Sequence, residues 1–580
     1  MKVLLLHPED QPQAARPGGK WDLVVDLGRA PAATYERWGK QAGCRVISLY
    51  DFAKDFEDLL HVRELLQLGM GQWVDDFGID WWDVLSLMIE PDIRQLMLVG
   101  RLARELQAGC ELYATRSTSL ATALQTLTGA RPVRVEAGSR PVTRWARHYR
   151  DIFSQLDTAQ MSQAFQDKFD REHLVRRRFA RSRQSSRHPV VLLPSAYVNV
   201  SRTAASYAAL LPGEKFLLVY ARNSARLKTL SSNISTTSLD RYFVTADRKE
   251  AAGLLKAWES LKVRLIAGAQ EYSAADATGV LDGVPGLMRW GIALRDAWNQ
   301  VFQSETVVGC LCADDSNPYT RLALILARNR GIPTLACHHG ALDSRMAVKV
   351  LHADTYLAKG EIERDYLLRS CRVAPEKVVL GGQGLSSTTD AAKPAGRSSE
   401  PWLVFFTEPF GAAGWRTEEV YADLLPKLWA LSESCGLKLV FKLHPFESVK
   451  GHRRILRKYL PRPEPRIGVL AGAPSPQLWR NTRFAVMVQS TVALQCVSLG
   501  IPVFLCSWLR DSNSGYVGQF SRFGVGHILE SADALSEIPR LLEMQGRTVQ
   551  MRPALWETMD PAKLRDLLLR TGSCSEAIKA

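Results

Sequence analysis

At 580 residues the chain is too long for one hydrophobic core, and two to four domains are expected. Its 46% apolar and 23% charged residues are those of a globular protein, and no run of eighteen apolar residues offers a membrane span. The net charge of +14 asks for an anionic partner, but no nucleic-acid-binding motif occurs. The ten cysteines lack framework spacing, and the one close pair, Cys310 and Cys312, falls in an apolar run, so they read as core residues of a reducing, cytoplasmic compartment.

The N-terminal MKVLLLHPEDQPQ has only a few consecutive apolar residues and no small-residue cleavage site, so it reads as a first strand, not a signal peptide. Strands are expected at Val3–Leu6, Asp22–Leu27 and Arg45–Tyr50. A helical tract follows from His61 to Gln107, and Pro91 should break it. Glu111–Ala114, Leu120–Leu127 and Pro132–Glu136 read as strand, helix and strand. Residues 1–140 therefore form an α/β domain. Its His7-Pro8 is assigned no chemistry, because no hydroxyl-bearing turn accompanies it. Residues 141–187 are polar and helical, a basic linker in which Arg171 to Arg187 carries seven arginines against one glutamate. That tract is either a solvated linker or a contact for an anionic membrane leaflet or glycan.

A fresh α/β domain spans 188–385. Its first strand, Pro189–Leu193, leads into the turn PSAYVNVSRT, a helix through Leu211 and the strand Lys215–Tyr220. Turns after the first strand of a doubly wound sheet face ligands, so Asn199, Ser201 and Arg202 are candidate contacts for an acceptor or phosphate. Ser201 or Thr203 serves equally well as a helix N-cap. Further on, the strand VVGCLC ends in Asp314-Asp315-Ser316, a helix Tyr319–Arg330 closes at Gly331, and the strand Ile332–Cys337 ends in His338-His339-Gly340. Neighbouring strand ends thus carry a carboxylate pair and a histidine pair, the elements of a general base for a hydroxyl. Asp315 or Ser316 acting as a plain helix cap, and one structural histidine, are the competing reading. Gly340 allows close backbone approach or a left-handed turn. No Cys/His set of ligand spacing accompanies these residues, so no metal is expected.

Residues 386–400 read as a hinge, and 401–580 as the last domain. After Trp402–Phe406 comes FTEPFGAAGWRTEE, a turn that places Glu408, Gly411 and Gly414 beside a ligand or forms a simple loop. The apolar run Leu437–Leu443, with Lys442 inside it, is stopped by His444-Pro445. Phe484–Val488, Gln489-Ser490-Thr491 and Val492–Leu499 before Gly500 form strand, turn and helix. His444, Ser490 and Thr491 then share one carboxyl edge. Taken singly they are a core histidine and a helix cap; together they favour a phosphate-bearing ligand.

KLHP followed by STVALQCVSLGIPV resembles the C-terminal domain of GT-B glycosyltransferases. The likeness is to the bacterial capsule group: polysialyltransferases, Kdo transferases and CDP-glycerol phosphotransferases. ADTYLAKGEIERDYLL…VVLGGQG is similar to the end of the N-terminal domain of such enzymes. The implied fold class is α/β, a GT-B-like pair of Rossmann-type doubly wound domains preceded by an additional N-terminal α/β domain. The implied function is a metal-independent, cofactor-free, inverting glycosyltransferase, or related phosphotransferase, moving a group from a nucleotide-activated donor, with a cytidine leaning, to a glycan or lipid-linked acceptor. By that resemblance His444, Ser490 and Thr491 bind the donor's phosphate, with His444 also catalytic; Lys442 and Glu408, at the same strand edge, are read as further donor contacts. Asp314, Asp315 or His339 supplies the base, and Asn199, Arg202 and Gly340 meet the acceptor. The acidic-acidic-glycine motif of polysialyltransferases departs here at Ser316. The same architecture also admits a sugar-nucleotide 2-epimerase or a non-catalytic scaffold. The implied setting is cytoplasmic, peripheral to the inner membrane, with the two groups of residues facing one interdomain cleft.

Overall fold

A computed structural model describes residues 1–10, 21–106, 109–116, 118–130, 134–135, 188–244, 248–340, 342, 344–383, 400–444, 447–460, 466–510, 516–545 and 555–569. The expected basic linker with its arginine tract, and the expected hinge except Glu400, lie outside these residues.

Short apolar runs build three sheets. The first holds β1 (Lys2–Leu6), β2 (Leu23–Asp26), β3 (Arg45–Ser48), β4 (Glu111–Ala114) and β5 (Arg134–Val135) in the order 3-2-1-4-5. The second holds β6 (Val190–Ser195), β7 (Phe216–Tyr220), β8 (Ile234–Ser238), β9 (Val307–Cys312), β10 (Thr334–Ala336), β11 (Thr355–Ala358) and β12 (Val378–Leu380), ordered 12-11-10-9-6-7-8. The third holds β13 (Trp402–Phe406), β14 (Lys438–Lys442), β15 (Ile467–Leu470), β16 (Thr482–Met487), β17 (Val503–Cys506) and β18 (His527–Leu529), ordered 15-14-13-16-17-18. Every pairing is parallel. Strands such as β6 and β13 are buried along their whole length, as expected where helices cover both faces. In each sheet the chain starts in the middle, grows to one side, then returns to grow to the other. The reversal opens a crevice at the carboxyl ends between the first and fourth strands: β1 and β4, β6 and β9, β13 and β16. This is the expected class, tandem Rossmann-type domains preceded by an additional α/β domain.

Contacts divide the chain into two compact units. One comprises Met1–Phe56, Gln95–Asp157 and Leu385–Leu555, and therefore holds the first and third sheets. The other comprises Glu57–Arg94, Thr158–Gly384 and Trp556–Ala580, and holds the second sheet.

Within the first unit, the loop after β13 is pinned to the first sheet by Arg416. Its guanidinium donates to both carboxylate oxygens of Asp26 (2.8 and 2.7 Å) and to the carbonyls of His7 (2.9 Å), Pro8 (2.7 Å) and Asp10 (2.5 Å). All five N–H donors are used. Arg116, after β4, grips Asp10 and Glu9 on the same edge. The carboxyl end of the first sheet is thus filled by protein groups.

Around the Glu57–Arg94 stretch of the second unit, the tract expected to be helical from His61 to Gln107 and broken at Pro91 is two helices, Asp55–Gln67 and Trp81–Glu105, with left-handed Gly71 and Gly78 turning the chain between them. Pro91 does not break the second helix. A mid-helix proline costs ~3 kcal/mol. Trp81, Trp82, Leu85 and Ile89 are almost fully buried just before it, and each fully buried apolar side chain returns roughly 1.5–3 kcal/mol, so packing wins. Trp82 stacks on Trp258, and Trp81 packs so closely on Gly291 that a Cβ there would meet its ring at 2.5 Å. The C-terminal segment joins this unit too: Leu564 and Leu568 enter the core of the second sheet, and Glu557 accepts from Gly382 N (2.5 Å).

Candidate functional site

In the second unit a hydrogen bond bridges the crevice between β6 and β9. Tyr197, just past β6, donates its hydroxyl to Asp314 Oδ2 (2.5 Å), just past β9. The same hydroxyl lies 3.4 and 3.3 Å from the two ring nitrogens of His339, whose ring meets Tyr197 edge to face. Asp314 is 3% exposed and also accepts from Ser316 N (2.8 Å) and Asn317 Nδ2 (3.1 Å). Burial alone would push its carboxyl up. The imidazoles of His338 and His339, the Lys349 ammonium and the Tyr197 hydroxyl outweigh that and hold it well below the usual carboxylate range.

Asp315 points elsewhere. Its carboxylate is committed to Lys349, with Arg321 3.8 Å from the other oxygen. Arg321 is itself clamped to Asp83 (2.6 and 2.8 Å), and Asp83 accepts or shares a proton with His352 (2.7 Å). This buried chain of charges holds the base of the site in place.

Asp314, His338 and His339 offer ligand atoms within 4.8 Å of one another, a set able to hold a metal ion. Gly340 N–H donates to His338 Nδ1 (3.3 Å), and His338 Nε2 lies 4.0 Å from Asp314 Oδ1. The cluster offers both metal-ligating and proton-handling groups. Gly340 is not left-handed, and a Cβ there would meet nothing within 4 Å, so the fold does not require glycine; its carbonyl accepts from Lys359 Nζ (3.1 Å). Asn199 and Arg202 lie on the helix Val198–Ala208, joined by a 3.5 Å contact, with Arg202 exposed. Ser201 is a buried staple, bonded to Ser195 Oγ and Ala225 O (both 2.6 Å), and not an N-cap.

In the first unit, three adjacent strand ends of the third sheet carry the expected donor residues: Lys442 and His444 from β14, Glu408 from β13, Ser490 and Thr491 from β16. Lys442 is 7% exposed, and its ammonium donates to the carbonyls of Gly472 (2.6 Å) and Leu443 (3.1 Å); among the described residues no carboxylate pairs with it. Burial lowers its pKa. The His444 imidazole is held below its ordinary value by burial and then by the Lys442 charge, so it is neutral at neutral pH. Its backbone N–H is shared between Thr407 Oγ1 (3.0 Å) and Glu447 Oε2 (3.1 Å), which bond each other. Ser490 Oγ accepts from Val492 N (3.3 Å), while Thr491 makes no side-chain cap bond before the seven-residue helix Val492–Ser498. Gly414 and Arg416 of the β13 turn are engaged by the first sheet: Gly414 O accepts from Arg29 N (2.9 Å). Tyr197, Lys349, Thr407 and Glu447 were not among the expected site residues. Thr407 directly follows a strand and Glu447 lies three residues past His444, which is the signal that marks them.

No family model and no curated protein matches the sequence. Solved structures do. The UDP-GlcNAc 2-epimerase of Methanocaldococcus jannaschii, solved with UDP-GlcNAc and UDP, aligns with 9% identity over 65% of this chain and 98% of its own, at a TM-score of 0.41. A glycosyltransferase from Rickettsia africae aligns with 12% identity over 62% and 89%, at 0.37. The wall teichoic acid polymerase TagF aligns with 9% identity over 75% and 96%, at 0.36. At these values the likeness concerns the α/β architecture.

Proposed function

We propose that this protein is a nucleotide-sugar-dependent glycosyltransferase, or a closely related phosphotransferase, acting on a glycan or lipid-linked acceptor. The observation that carries the proposal is Lys442: a buried ammonium at a ligand-facing sheet edge, satisfied among the described residues only by carbonyls, is a charge awaiting an anion. The donor's phosphates fill that role, with His444 as a neutral hydrogen-bond partner and Glu408, Ser490 and Thr491 lining the same edge. Stabilising a departing phosphate by fixed donors is the largest lever such a site has.

In this reading His339 is the general base for the acceptor hydroxyl. The Asp314 carboxyl is held well below the usual carboxylate range and is therefore a weak base, which leaves the proton to the neighbouring imidazole. The Asp314 carboxylate instead stabilises the imidazolium that forms, and Tyr197 holds the two together. Asp315 positions Lys349 and is not the base. No metal or cofactor enters these steps. The test is to incubate the protein with UDP-, GDP-, CMP- and CDP-linked donors, with and without acceptor glycans, and follow nucleotide release. Release that needs an acceptor supports transfer. Conversion of the donor without any acceptor would replace this reading with an epimerase, and no turnover or binding with any donor would leave a scaffold.

A further inference from the structure

The helix Val198–Ala208 and the segment 226–231, which leads towards β8, enclose a groove of about 680 Å³. The helix turns Val198, Arg202, Ala205 and Ala209 towards it, at spacings of four, three and four residues, which is one helical face. Ala205, Ala209, Leu227 and Leu230 make an apolar lining, and the exposed side chains of Arg202, Arg226 and Lys228 stand around it. Among the described residues no carboxylate lines the groove. Among the described residues none of the three cations has an acidic partner; Arg202 touches only the amide oxygen of Asn199. Ser206, Thr229 and Ser231 add hydroxyls.

The groove has a direction. The helix has eleven residues and so is about 16 Å long. It begins at Tyr197, whose hydroxyl holds Asp314.

We infer that this groove binds an anionic oligosaccharide: the body of an acceptor chain bearing carboxylate or phosphate groups, whose reacting end lies towards Tyr197. The inference rests on the transferase reading. Three unpaired cations select a polyanion, and the apolar lining with interspersed hydroxyls suits the mixed C–H and O–H faces of sugar rings. Single-stranded nucleic acid is disfavoured because no aromatic side chain lines the groove to stack a base. A bilayer surface is disfavoured because the cations stand around a concavity. The free glycan and its lipid-linked form share this chemistry.

The test compares the full chain with its R202Q/R226Q/K228Q variant by calorimetric titration with a heparin-derived octasaccharide, and with an uncharged maltooligosaccharide of equal length. All three positions are exposed, so the fold should persist, and the thermal shift produced by UDP or CDP serves as the control. The expected result is octasaccharide binding weakened by roughly tenfold or more, with a slope of log K against log salt smaller by about two to three, and no maltooligosaccharide binding by either protein. Equal octasaccharide affinity in the two proteins would overturn the inference. So would a variant-sensitive preference for a single-stranded oligonucleotide or for anionic phospholipid vesicles over the octasaccharide. Loss of octasaccharide binding in the variant, with neither protein responding to any nucleotide, would keep the groove and remove the transferase reading.

Discussion

Asp314 and His339 divide one task, and substitution separates their roles from that of Asp315. Asp314→Asn keeps the shape and the Tyr197 contact but removes the charge that steadies an imidazolium. It should lower turnover by about 10²–10⁴ with little change in melting temperature. Asp315→Asn leaves Lys349 and Arg321 with less compensation inside the protein, so its first effect should be a lower melting temperature. A melting temperature lost equally in both variants would contradict the division. His452 offers a cleaner residue-scale check. It is 3% exposed, packed against Tyr421 and Phe441, and burial lowers its pKa to about 4. Its unfolded value is about 6.5, so the folded state binds fewer protons between those values. Stability is intact above about pH 6.5 and falls as pH drops towards 4, by about 3 kcal/mol in total for this group. His452→Phe should flatten that acid limb in melting curves taken from pH 7 to 4; an unchanged limb would place the titration elsewhere.

Elements were legible where one local rule decided them. Runs such as VVLLPS and WLVFF are too short and apolar to be anything but buried strands, and Gly331 and Gly500 end helices as their left-handed backbone requires. Pro91 was misleading because a local cost of one proline was set against a helix whose burial is tertiary. Tyr197 and Arg416 were illegible for the same reason: their partners, Asp314 and Asp26, lie 117 and 390 residues away in sequence. Arg416 also explains why the turn after β13 is only partly available to a ligand, since its far end is held by the first sheet. Arg416→Met should strand the fully buried Asp26 carboxylate and cost about 3–5 kcal/mol. Adding Asp26→Asn to that variant should recover part of the loss. A neutral single substitution would show that the loop is not anchored there.

Across the whole chain the three sheets are alike in topology and unlike in chemistry. The first has its carboxyl edge closed by Arg416 and Arg116, the second gathers an acid, two imidazoles and a phenol, and the third presents a buried cation. The succession of three parallel sheets along the chain was readable from the alternation of strand and helix patterns. The pairing of the first and third sheets in one unit, and the return of the C-terminal segment to the second, were not, because they depend on contacts distant in sequence. The account stands or falls on Lys442, since a buried ammonium kept for an anion lowers stability when the anion is absent. The direct measurement is paired: the melting temperature of Lys442→Met and wild type without ligand, and the affinity of each for UDP, GDP, CMP and CDP by calorimetry. The account predicts a ligand-free melting temperature that is unchanged or higher in the variant, with nucleotide affinity reduced about 10–100-fold. A variant that melts several degrees lower yet binds the same nucleotide as tightly as wild type would contradict it.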